Sequence, residues 1–144
     1  MPAKQQTPHT AVSAYLEAEV RKRNKQLIAA LVRIGEQAIA IAAASETFRT
    51  GSGNLRSSIG YAVVNGGKVE KLEMVKGGQG SSGANEGRRL LTQLAAEHSQ
   101  GVSLIVAAGA GYAVYMEASG RDVLTHSELT ARKLVQQLAT GRNV

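Results

Sequence analysis

The chain has 144 residues, enough for one domain with a core that needs no covalent staples. With 43% apolar and 19% charged residues and no cysteine, it falls outside the disordered, disulfide-framed and thiolate-metal classes. A formal net charge of +6 fits an anionic partner, either DNA or an acidic neighbouring subunit, and equally the plain solubility of a small basic domain.

Residues 1–9 are expected to form a flexible tail, and residues 10–144 a single domain. Thr7 and Pro8 suit a helix opening, with Thr as the cap and Pro in the first turn. From there to about Ser45 the pattern is helical. Leu27, Leu31, Ile34, Ala38 and Ile41 form an apolar stripe at helical spacing, which Ile28, Gly35, Ile39 and Ala42 widen. Gly35 costs helix stability and so predicts a close backbone approach at that point. Between Val20 and Leu27 the sequence turns basic through Arg21, Lys22, Arg23 and Lys25, so the first half of the helix is expected to extend beyond the core. No apolar run precedes Arg21, polar residues interrupt the stretch after Gln26, and Leu104 to Met116 is too short to cross a bilayer. A soluble protein without a secretory signal or a membrane partner is expected.

The segment Gly51-Ser52-Gly53-Asn54 supplies a turn, because Gly tolerates positive φ and Asn and Ser bond back to the backbone. Leu55 and Ile59 are expected to anchor this loop to a core, and Arg56 to point outward. Ile59 to Asn65 reads as a strand, Gly66-Gly67 as a hairpin turn, and Lys68 to Val75 as the partner strand. Glu70, Lys71 and Glu73 break the alternation of that partner, which is therefore expected to be half exposed. The Gly- and Ser-rich stretch from Lys76 to Gly87 reads as a mobile loop that orders against a neighbouring subunit. Asn85 to Ser99 is an amphipathic helix with Leu90, Leu91, Leu94, Ala95 and His98 on one face, ending at Gly101.

Val102 to Ala108 is almost continuously apolar, as in a strand covered on both faces. Tyr112, Tyr115 and Met116 then fall at helical spacing up to Gly120. The last helix opens on a Thr125–Glu128 capping box with a Leu124–Leu129 staple. It buries Ala131, Leu134, Val135 and Leu138 and stops at Gly141. This order predicts an α+β fold: a long N-terminal helix packed on a small, mainly antiparallel sheet (the hairpin plus one later strand), with two or three shorter helices.

Residue chemistry points away from catalysis. His9, His98 and His126 share no helix face, and no acidic cluster completes a metal site with them. Gly109-Ala110-Gly111 follows a strand, but Val114 stands where a dinucleotide loop needs a small residue, and no βαβ unit surrounds it. Gly51-Ser52-Gly53 lacks the Gly-Lys-Ser/Thr ending of a phosphate loop. The acidic pairs Glu17 and Glu19, Glu70 and Glu73, and Glu117 and Asp122 read as solvated. No enzyme signature, cofactor or metal is expected. The basic candidates for an anionic partner are Arg21, Lys22, Arg23 and Lys25, with Arg88 and Arg89; only Tyr15 offers a stacking ring near the first group, so backbone-only DNA contact and a solvated helix face both remain open.

Two separated segments carry a family resemblance. Gly53-Asn54-Leu55-Arg56-Ser57-Ser58, leaving the long helix, resembles the corresponding loop of the tailed-bacteriophage neck, head–tail joining and tail-completion family. Tyr112-Ala113-Val114-Tyr115-Met116-Glu117, closing at Gly120, is similar to that family's Tyr-Ala-x-x-x-Glu-x-Gly segment after the last strand. The resemblance implies a non-enzymatic virion structural protein, a head–tail connector or tail terminator that forms a homo-oligomeric ring in the neck or at the tail end. Its implied partners are itself and adjacent neck or tail proteins, with DNA in the ring lumen, and its places the virion and, during assembly, the host cytoplasm. It marks Gly53, Asn54, Leu55, Arg56, Ser57, Tyr112, Tyr115, Glu117 and Gly120 as motif and candidate interface residues. Where many relatives carry Pro-Phe-Leu after this segment, the chain has Arg121-Asp122-Val123-Leu124-Thr125, which leaves neck and tail end as alternatives. A nucleic-acid-binding domain using the basic helix is the alternative reading.

Overall fold

The computed structural model describes residues 9–44, 57–75, 81–98, 100–108, 112–117 and 127–139. Helix α1 (His9–Ala44) is followed by strands β1 (Gly60–Asn65) and β2 (Lys68–Met74), helix α2 (Ser81–Glu97), strands β3 (Val102–Ala108) and β4 (Tyr112–Glu117), and helix α3 (Ser127–Ala139). The strands make one antiparallel sheet in the order β2-β1-β3-β4. The α+β expectation holds, with one strand more than the sequence suggested. His9 already belongs to α1, so the expected tail is shorter by that residue; the rest of it lies outside the described residues.

Alternation along the strands separates two cores. Tyr61 and Val63 of β1, with Leu104 and Val106 of β3, face α1 and α3, where Leu31, Ile34, Ala38, Leu134 and Leu138 close the layer. Ala62 and Val64, with Ile105 and Ala107, face α2, where Leu91 and Ala95 close the opposite layer. β3 is buried along its whole length, as an apolar strand between two helical layers must be. α1 is long and apolar enough to cross a bilayer, yet Leu31, Ile34, Ala38 and Ala42 are fully buried inside this chain, which is the behaviour of a core helix.

The hairpin turn follows from its glycines. Gly66 and Gly67 both adopt positive φ, 60° and 84°, the requirement of a two-residue turn that matches strand twist. The Gly66 amide donates to the Gly101 carbonyl at 2.9 Å, tying the turn to the entry of β3. Gly101, also at positive φ, serves that entry; α2 has already ended at Glu97.

The broken alternation of β2 has a physical cause. Val63 pairs with Lys71 but Val64 pairs with Val69, so Glu70 is an extra residue, a β-bulge. The bulge resets the phase and brings Val69 and Leu72 onto the same α2-facing layer.

Two expectations are corrected. Residues 81–87, read as loop, are the first two turns of α2. Glycine there serves close packing: a Cβ on Gly87 would lie 2.5 Å from the Ser58 carbonyl oxygen. Residues 76–80 lie outside the described residues. Tyr112–Glu117, read as helical, is strand β4. Val114 and Met116 point to the α1 layer, and Ala113 and Tyr115 to the α2 layer, so the true period is two. Six residues are too few for periodicity to separate helix from strand, and the aromatic and β-branched content favours the strand.

Candidate subunit interface

The residues marked by the resemblance fall at different places. Gly53, Asn54, Leu55, Arg56 and Gly120 lie outside the described residues. Ser57 and Ser58 are buried, and the predicted anchor Ile59 is fully buried beside them. Because Gly87 of α2 packs on the Ser58 backbone, this end of the motif seats α2 on the sheet. Tyr112 opens β4. Tyr115 is half-buried with its ring centroid 4.4 Å from that of His98, at a 47° tilt, so the two rings join β4 to the end of α2. Glu117 is exposed at the end of β4, opposite Ser103.

The first half of α1 runs past the sheet, as its polarity predicted. From Thr10 to Gln26 every residue except Ser13 and Asn24 is exposed. Arg21, Lys22, Arg23 and Lys25 are all exposed. Arg21 meets Glu17 at 4.0 Å, one turn apart on the helix surface, whereas Lys22, Arg23 and Lys25 form no ion pair among the described residues. On the same segment Val12, Tyr15, Leu16 and Val20 stand 42% to 64% exposed, and Leu129 of α3 is the only other large apolar side chain so exposed among the described residues. Leu16 and Val20 continue the stripe that Leu27, Leu31 and Ile34 bury further along. The apolar stripe thus continues onto a segment that no other described element covers.

A second feature escaped the sequence. Glu36, Ile39, Ala40, Glu73, Met74 and Val75 line a groove of about 230 Å³ between the second half of α1 and the end of β2. Its floor is apolar and its rim carries two carboxylates. Glu36 accepts the Tyr61 hydroxyl at 2.9 Å, and Glu73 meets Lys71 at 3.3 Å. Burial pushes the Tyr61 phenol well above its ordinary value, and the hydrogen bond to Glu36 and the charges of Glu36 and Glu73 push it further. Tyr61 therefore stays a donor and holds Glu36 in place. Glu36 and Glu73 are far apart in sequence and are joined only by β1, so no local pattern announces them.

Among the described residues no three His, Asp or Glu side chains converge on a metal position. The described residues thus present an exposed apolar and basic helix segment and, further along the same helix, a groove with two carboxylates. No family model, curated protein or solved structure matches the chain.

Proposed function

We propose that the chain is a structural subunit of a tailed-phage neck or tail end that works by assembling into a homo-oligomeric ring. The observation that carries the assembly part is the uncovered stripe of Val12, Tyr15, Leu16 and Val20 on a helix that projects beyond its own sheet. Exposed apolar surface of this kind is costly in water and is retained where a partner covers it. The phage part rests on the two sequence segments, Gly53 to Ser58 after the long helix and Tyr112 to Glu117; the second is itself strand β4, where the resemblance implied a segment after the last strand.

The test is electron microscopy of particles carrying a tagged subunit, with a ring of density expected at the neck or the tail terminus. Particles that assemble normally and remain infectious without the subunit would refute the reading. Genes for portal, capsid and tail-tube proteins beside this one are the expected genomic setting.

The exposed cations Lys22, Arg23 and Lys25, unpaired among the described residues, favour one second reading, contact with a nucleic-acid backbone. Salt-dependent DNA binding by the isolated subunit, lost when these residues become Gln, would support it.

A further inference from the structure

A closed ring requires two different surfaces on each subunit, one meeting the other on the next copy. Resting on the ring reading above, the inference concerns where those surfaces lie, and α1 carries a candidate in each half. Its projecting half bears the stripe of Leu16 and Val20 with Arg23 beside it, while Lys22 and Lys25 fall on other faces of the helix. None of the three cations has an ion partner among the described residues. Its second half lines the groove in which Ile39, Met74 and Val75 form an apolar floor beneath Glu36 and Glu73. Among the described residues Glu36 has no cation within ion-pair distance and accepts only the Tyr61 hydroxyl, while Glu73 is shared with the exposed Lys71. Charge and apolar surface therefore match: a cation beside an apolar stripe, carboxylates above an apolar floor.

The match cannot be made within one subunit. Val20 and Glu36 are sixteen positions apart on one unbroken helix, which separates them by about 24 Å along the axis. We propose that the projecting half of α1 docks in the Glu36–Glu73 groove of a second copy of this chain, head to tail. Repetition of that contact is heterologous and closes a ring or extends a filament, which a like-to-like pairing of the two stripes does not do.

The chain has no cysteine, so engineered pairs report cleanly. Val20 and Ala40 are too far apart in one molecule for a disulfide, which needs Cα atoms within about 7 Å. Under mild oxidation the Val20→Cys/Ala40→Cys double variant should give a ladder of covalent oligomers, and neither single variant should. In sedimentation, Arg23→Glu and Glu36→Lys should each weaken self-association by about tenfold or more, with the combination restoring most of it. Glu36→Gln keeps an acceptor for Tyr61, so its weakening isolates the charge from any folding defect. Self-association unchanged in the charge variants overturns this contact and leaves the ring reading standing. A covalent dimer from Val20→Cys alone, or a wild-type chain that stays monomeric together with a double variant that gives no ladder, also overturns it. A closed two-fold dimer of the wild type overturns the ring reading itself.

Discussion

Gly35 of α1 leaves the space that the ring of Tyr61 on β1 occupies: a Cβ placed on Gly35 would lie 2.5 Å from Tyr61 Cδ2. The ring is fully buried and its hydroxyl is held by Glu36, the residue after Gly35, so it has no room to swing aside. Glycine inside a helix costs about 1 kcal/mol relative to alanine, and overpacking a filled core costs about 1–3 kcal/mol. Gly35→Ala is therefore expected to lower stability despite its better helix propensity, read as a lower denaturant midpoint. A midpoint equal to or above the wild type would show that the ring yields.

Tyr61→Phe removes the hydrogen bond to Glu36 while keeping the ring, and should cost about 0.5–1.5 kcal/mol near neutral pH. The alkaline limb is more diagnostic. The folded state holds the Tyr61 pKa above its ordinary value of 10.0, so it favours the protonated phenol. That contribution is complete below the unfolded pKa and is lost as pH rises from there toward the folded value. The stability difference between wild type and Tyr61→Phe should thus be constant below pH 10 and shrink above it. Parallel melting curves at every alkaline pH would contradict the burial of this phenol.

Gly87 tests how α2 is seated. A Cβ there would meet the Ser58 carbonyl oxygen at 2.5 Å and Met74 Cε closer still. The methionine end can move, but the Ser58 backbone cannot without shifting the start of β1. Gly87→Ala is expected to destabilise by about 1–3 kcal/mol and to raise amide exchange in α2, with Ser57 and Ser58 responding in the same experiment.

Replacing Arg21, Lys22, Arg23 and Lys25 together with Gln should leave the melting temperature nearly unchanged. Their one ion pair, Arg21–Glu17, is exposed and long at 4.0 Å, and such pairs contribute about 0–1 kcal/mol. Assembly or anion binding should fall, and its salt dependence should flatten with it. Unaltered assembly at every ionic strength would reduce the basic run to a solvated face.

The parts of the fold legible in the sequence were those with long or chemically marked patterns. Leu27 to Ile41 repeats over four turns, Gly66-Gly67 leaves few alternatives to a hairpin, and Val102 to Ala108 is apolar on both faces. Two failures share one form, a residue type or spacing with two physical uses. The glycines at 83 and 87 read as flexibility, but both are buried in α2, and at Gly87 the absence of a side chain lets the helix approach Ser58 and Met74. Tyr112, Tyr115 and Met116 fit helical spacing, but six residues are too few for that to decide, and in the strand Tyr115 and Met116 face opposite layers. Gly35 did mark a close approach, but to an aromatic ring from elsewhere in the chain. The acidic groove was out of reach for another reason: Glu36 and Glu73 meet only through the register of β1 against β2, which depends on a bulge at Glu70.

Because α1 is one uninterrupted helix from His9 to Ala44, it forms a rod with one half clamped in the core and the other half free of it. Leu31, Ile34 and Ala38 form the clamp, and Val12 to Val20 lie in the free half. A tilt of only about 5° at the clamp moves a point about 25 Å along the rod by roughly 2 Å, comparable to the difference between docking and missing a groove. Substitutions at Leu31 or Ile34, buried inside the subunit, would then alter the curvature of an assembly as directly as substitutions at its contacts.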